Sequence, residues 1–244
     1  MPELKIIRSS EMPTYVKMVI YGHPGVGKTI FSAGCPKPLI VDCERGNLSL
    51  RNKELIKKGI IPASVDVTPV YQFIELNTVF ESLQDNNEGY ETVILDGFSE
   101  LLRKGVDLIM ERLVAKYPER NPDVVSPNEW GASTQQMRKV IRNFSWLPMH
   151  VIFTCQVREQ EIEDSTTKEM MPAVSPSVFN ILNAYVDIIA YMWKVGLPAD
   201  PPEKKFRAML FQPTENVRAK DRSGALGGAM KNPTFSDILR LLGL

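Results

Sequence analysis

Gly22-His23-Pro24-Gly25-Val26-Gly27-Lys28-Thr29 reads G-x-x-x-x-G-K-T, the phosphate-binding P-loop pattern, and its reading decides the fold. Ahead of it Val16-Lys17-Met18-Val19-Ile20-Tyr21 is a β-prone run, and Thr29-Ile30-Phe31-Ser32-Ala33 opens a helix after it. Strand, glycine loop and helix is the context in which glycines turn backbone N–H groups around a phosphate. Lys28 then sets a cation on the β/γ oxygens, the Thr29 hydroxyl ligates Mg²⁺, and the helix N-terminus favours the anion. The nucleotide contacts are assigned to Gly22, His23, Pro24, Gly25, Val26, Gly27, Lys28, Thr29 and Ile30.

Working outward, a chain of 244 residues without repeats or low-complexity stretches reads as a short arm, residues 1–15, followed by one α/β domain, residues 16–244. Lys+Arg and Asp+Glu are both 29, so a nucleic-acid contact has to come from a local patch. The bases concentrate late: residues 194–244 hold 9 bases and 5 acids, 9 − 5 = +4. Cys35, Cys43 and Cys155 lack C-x-x-C spacing, and with only His23 and His150 beside them they form no zinc set; buried reduced thiols and structural histidines are the reading. No run approaches the roughly 18 apolar residues of a membrane span, and the first residues lack a signal core, so a soluble cytoplasmic protein with no membrane partner is expected.

Gly34, Pro36 and Pro38 stop the first helix, and Leu39-Ile40-Val41 then forms a buried strand ending in Asp42-Cys43-Glu44. Ligands of open parallel sheets sit beyond the carboxyl ends of the strands, which makes Glu44 the candidate base for activating water. Residues 47–58 and 71–83 read as helices, the second with Phe73, Leu76, Val79, Phe80 and Leu83 as its core stripe. Thr92-Val93-Ile94-Leu95-Asp96 has the Walker-B form, whose aspartate supports Mg²⁺ through its water shell. A helix carrying Phe98 to Leu113 follows, then an exposed loop over residues 117–127. Ser126-Pro127-Asn128-Glu129 launches a further helix to about Trp146. Val151 to Cys155 is another buried strand. Gln156 at its end is placed to sense a γ-phosphate, and residues 157–175 read as a long polar functional loop. Residues 185–193 and 204–212 read as strands, with Trp146 and Trp193 as core packing. Asn232-Pro233 precedes a last helix with Ile238, Leu239, Leu241 and Leu242.

The order of these parts resembles the RecA-like ATPase core, and within it the phage single-strand annealing recombinases related to RecA and RadA. Lys220-Asp221-Arg222-Ser223-Gly224 is similar to the K-x-R-x-G segment of RadA-type proteins. The resemblance implies a P-loop NTPase with a mostly parallel central β-sheet flanked by helices, ATP and Mg²⁺ as cofactors, and a DNA-stimulated ATPase active in DNA recombination. It places Glu44 at the family's catalytic glutamate and Gln156 at the glutamine that couples ATP state to DNA. Lys220 and Arg222 fall where the family reaches a neighbouring subunit's γ-phosphate. Single-stranded DNA, a homo-oligomeric ring or filament and a single-strand-binding protein are the partners it implies, in the cytoplasm of the host if the chain is phage-encoded.

The polar loop carries Glu159, Glu161, Glu163, Asp164 and Glu169 against Arg158 and Lys168, a poor DNA ligand. Phosphate contacts are therefore assigned to Arg103, Lys104, Arg138, Lys139 or Arg142, and base stacking to Tyr117 or Trp130. Two other readings share the nucleotide motifs: a P-loop kinase, disfavoured by the single arginine in that loop, and a nucleotide-gated P-loop ATPase serving phage replication or packaging partners.

Overall fold

A computed structural model of the chain describes residues 8, 11–12, 14–161, 168–196, 199–201 and 204–244. Most of the N-terminal arm, for whose residues 4–8 an edge strand or a docking arm are both open readings, lies outside the described residues.

The first half supplies β1 (Lys17–Gly22), α1 (Lys28–Ala33), β2 (Pro38–Asp42), a 3₁₀ turn (Asn47–Arg51), α2 (Lys53–Lys57), β3 (Asp66–Pro69), α3 (Glu75–Asp85), β4 (Thr92–Asp96) and α4 (Phe98–Lys116). The second half adds α5 (Pro127–Trp146), β5 (His150–Glu161), β6 (Lys168–Pro172), α6 (Pro176–Tyr185), β7 (Ile188–Val195), β8 (Phe206–Leu210), β9 (Lys220–Asp221), β10 (Ala229–Lys231) and α7 (Phe235–Leu242). The strands form one sheet in the order β10-β8-β7-β1-β5-β4-β2-β3. From β7 to β3 every pairing is parallel, and β8 and β10 continue the sheet antiparallel. The α/β class with a mostly parallel sheet flanked by helices is therefore the observed one.

Successive side chains of a strand point to opposite faces, and the central strands are apolar on both. Val19, Tyr21, Val93, Leu95, Val151 and Phe153 join the core under α3, α4, α5 and α6. Met18, Ile20, Ile94 and Ile152 join the core under α1, α2 and α7. A sheet covered on both sides leaves the strand ends as the exposed polar surface, so the loops after β1, β2 and β4 converge there beside Thr154 and Gln156 of β5.

Local chemistry explains where the elements start and stop. Gly34 ends α1, with its N–H on Phe31 O at 3.1 Å. At the start of α5 the Ser126 N–H donates to the Glu129 carboxylate at 2.6 Å, half of the capping box expected there. Thr234 and Asp237 form the corresponding box for α7.

Several expectations need correction. The helix read over residues 47–58 is split by Asn52, whose Oδ1 accepts the N–H groups of Glu54 and Leu55 and so begins α2 afresh. The helix read from residue 71 starts at Glu75, because the Glu75 carboxylate holds the N–H groups of Tyr71 and Gln72 in a turn. The long polar loop is a hairpin: β5 continues past Gln156 to Glu161, and β6 returns antiparallel from Lys168 to Pro172. Of its described strand residues only Met171 and Pro172 are buried, with Val157 and Met170 half-buried against the core, so the sequence carries no sustained apolar period. Residues 162–167 of that stretch lie outside the described residues. The strand read from residue 185 is preceded by α6, capped by Ser175 and opened by Pro176, and starts at Ile188. The edge strand β3 was not foreseen. Finally, Trp146 is no core residue: it stands 71% exposed at the end of α5.

Lys17 ties the layers together. Buried in β1, its Nζ donates to Leu147 O at 2.8 Å and Met149 O at 2.6 Å, closing the turn between α5 and β5. Burial pulls its ammonium down to about 8, opposed by Asp187. Lys17→Met strips both carbonyls of their donor and is expected to lower unfolding stability by about 2 kcal/mol, read by urea denaturation. A folded-state value below the unfolded 10.5 means the unfolded chain binds more protons in that window. The stability advantage of wild type over Lys17→Met therefore grows as pH rises from about 8 to 10.5.

Candidate active site

The turn after β1 depends on backbone that only glycine adopts freely. Gly25 and Gly27 have φ of 74° and 109°, and Gly27 immediately precedes α1. A Cβ on Gly27 would also stand 2.4 Å from Arg207 Nε, which donates to Val26 O at 2.9 Å. Arg207, half-buried on β8, thus packs directly against the loop. No sequence signal marks it, because its partner lies 181 residues away.

Lys28 Nζ donates to Gly22 O at 2.8 Å, His23 O at 3.2 Å and Gln156 Oε1 at 3.3 Å. Gln156 Nε2 in turn donates to Glu44 Oε2 at 3.3 Å. One amide therefore bridges the loop lysine and the carboxylate that follows β2. Thr29 Oγ1 donates to Asp96 Oδ2 at 2.8 Å, and Thr154 Oγ1 donates to Asp96 Oδ1 at 2.5 Å while accepting the Gly97 N–H at 2.9 Å. Thr154 escaped the sequence reading, although it is the one hydroxyl in the buried Val151 to Cys155 run. The parallel register explains the convergence: Gly22 lies opposite Gln156, and Asp42 opposite Asp96.

The loop after β2 is shaped by Asp42, whose Oδ1 accepts the N–H groups of Glu44 and Gly46, both at 3.2 Å. It presses Glu44 against Gly97, where a Cβ would stand 2.2 Å from Glu44 Cγ. Gly97 also has φ of 84°. Arg45 turns the other way, its guanidinium 4.7 Å from the Tyr71 ring centroid.

These groups line a cavity of about 290 Å³ that includes Gly27, Lys28, Thr29, Glu44, Asp96 and Gln156. Burial pushes the Glu44 and Asp96 carboxyls up, with Asp96 adding to the effect on Glu44, and burial pulls the Lys28 ammonium down. Two desolvated carboxylates and one lysine make a setting that a divalent cation relieves. Among the described residues no group of three or more His, Cys, Asp or Glu is disposed to hold a metal ion. The Thr29 hydroxyl and the Asp96 carboxylate are the hard oxygens that stand together in this cavity.

Lys220 and Arg222 lie elsewhere. β9 pairs with Ile188 and Ile189, the first residues of β7, at the end of the sheet opposite the glycine loop. Lys220 Nζ donates to Val186 O at 2.9 Å and to Asn183 O. Arg222 pairs with Asp187 at 2.9 Å and with Ala184 O at 3.1 Å. The structure does not bring either to the cavity of its own chain. The two histidines are unremarkable: His150 Nδ1 accepts the Val16 N–H at 3.0 Å, and His23 is exposed on the loop.

Among proteins of known family, a model described as an AAA domain matches residues 14–223. Human replication factor C subunit 5 is 27% identical over 115 residues, which are 47% of this chain and 30% of that protein. The chain thus spans less than a third of the length of that relative. Among the described residues no helix is long and apolar enough to cross a membrane.

Proposed function

The chain belongs to the AAA domain family and is a P-loop ATPase, and on that premise we propose that residues 16–244 form one RecA-like domain that hydrolyses Mg-ATP and binds single-stranded DNA to promote annealing or strand exchange. The observation that carries the catalytic half is the bridge from Lys28 through Gln156 to Glu44.

Lys28 and the loop N–H groups would hold the β/γ oxygens of a bound nucleotide, and Thr29 with Asp96 would hold Mg²⁺. When bound, that ion neutralises charge on the transferring phosphoryl group. Glu44 accepts the proton of the attacking water, and its raised pKa brings it closer to the working pH of a base. Gln156 is the positioning residue. Its side chain touches both ends of the catalytic line, and its backbone O accepts the Ala173 N–H at the foot of the β5–β6 hairpin. The hairpin is braced to β1 by the Tyr21 hydroxyl, which lies within hydrogen-bond reach of Met170 O and Arg218 O. Loss of the γ-phosphate is thereby relayed to the hairpin.

The source of the second carboxylate supports the RecA-like reading. Asp96 is followed by Gly97, and the acid comes instead from the loop after β2. Similarity to a replication-factor subunit favours a role on DNA. Lys220 and Arg222, in this reading, meet a neighbouring copy's nucleotide once their own-chain contacts are exchanged.

Gly97→Ala tests the placement of Glu44. The added methyl displaces the carboxylate, and a misplacement of about 1 Å costs on the order of 10²-fold in kcat. Phosphate release under saturating Mg-ATP reads it, and a wild-type rate would remove Glu44 from the reaction.

A further inference from the structure

The outward face of α5 has no part in the nucleotide site. Its inward residues Met137, Val140, Ile141 and Phe144 fill the core. Gln135, Lys139, Arg142 and Trp146 stand at i, i+4, i+7 and i+11 along one outward face about 16 Å long, all exposed but Arg142, which is half-buried, and exposed Arg138 lies beside them one turn before Arg142. The only acid of the helix, Glu129, is buried and paired with Arg120 at 2.9 Å. Of the helices packed against α5, α6 contains no acid, and the acids of α4 (Glu100, Asp107 and Glu111) and α3 (Glu75, Glu81 and Asp85) form no ion pair with it among the described residues. Among the described residues Arg138, Lys139 and Arg142 have no carboxylate partner, and the Arg142 Nε has no acceptor. The Arg142 guanidinium lies 5.5 Å from the centroid of the Trp146 ring, which is 71% exposed.

We infer that this face is a binding surface for single-stranded nucleic acid. Three unpaired cations call for a polyanion. The exposed indole calls for a partner with free planar groups, which an unpaired strand has and a duplex, with its bases already stacked, does not. Arg138, Lys139 and Arg142 take phosphates, and Trp146 takes a base on the ring face away from Arg142. The helix continues through Leu147–Met149, the turn that Lys17 clamps, into the strand bearing Thr154 and Gln156. α5 is thus joined through one short clamped turn to the strand that carries Thr154 and Gln156.

The inference rests on the reading of the chain as a single-strand binder and gives that binding a surface. Anisotropy of a labelled oligothymidylate of about 20 nucleotides, longer than the roughly 4–16 nucleotides one module covers, tests it across a salt series. Trp146→Ala is expected to weaken binding by about 5- to 100-fold. Arg138→Ala with Arg142→Ala is expected to flatten the salt slope by about 1.4, two phosphates at about 0.7 each. Both variants are at the surface and keep DNA-free ATP hydrolysis as the check on folding. Wild-type binding by the variants overturns the surface and leaves the single-strand reading standing. Absence of binding by wild type overturns both, and a duplex that competes as well as the single strand overturns the stacking role of Trp146.

Discussion

Glu44→Gln lowers kcat for ATP hydrolysis by about 10²- to 10⁴-fold, the span expected for losing a general base, and leaves ATP binding close to wild type. The substitution keeps the size of the side chain, so its fit against Gly97 is preserved and its oxygen still accepts from Gln156 Nε2. Only the ability to take the water's proton goes. Burial and the nearby Asp96 push the Glu44 carboxyl above its ordinary range. The base is therefore lost to protonation at a higher pH than an exposed glutamate would be, and wild-type kcat falls on acidification from a correspondingly higher pH. A pH profile of phosphate release, with nucleotide binding measured alongside, checks both halves.

Lys28→Ala acts on binding as well as chemistry. The lysine is the cation of the cavity, presented by Gly22 O, His23 O and Gln156. Removing a preorganised charge from such a site costs on the order of 10²- to 10³-fold in kcat, with further loss in kcat/KM through weaker phosphate contact. Ligand linkage gives an independent readout. Mg-ATP at 100 times its Kd stabilises a binding protein by about 2.7 kcal/mol, so wild type gains thermal stability with the nucleotide and Lys28→Ala does not. Equal thermal shifts in the two proteins would contradict the assignment.

The parts of this fold that were legible in the sequence are those whose cause is local. G-x-x-x-x-G-K-T fixes a backbone shape, Gly34 and the prolines behind it end a helix, Ser126-Pro127 opens one, and apolar runs ending in Asp42 and Asp96 mark buried parallel strands. Contacts made across the sheet were not legible. Arg207 reaches Val26 only because β8 folds back along β7, and the meeting of Thr154 with Asp96 depends on β4 lying beside β5. The hairpin reads as a loop because most of its strand residues stay at least half-exposed, with Met171 and Pro172 the buried ones, and too few apolar positions remain to show an alternation. Trp146 reads as core from its place beside a buried strand, but it sits past the last inward turn of α5 and faces out. Lys220 and Arg222 illustrate the opposite limit. A short segment match names residue types, yet each side chain in this chain is held by carbonyls or by Asp187 at the far end of the sheet.

The most direct test of the account is steady-state phosphate release at saturating Mg-ATP by wild type and Glu44→Gln side by side, with and without single-stranded DNA and across protein concentration. The predicted result is wild-type hydrolysis that rises with DNA and steepens with protein concentration, against a Glu44→Gln rate at least about 10²-fold lower in every condition. Equal rates in the two proteins would contradict the catalytic site, and a wild-type rate indifferent to DNA would contradict the single-strand function built upon it.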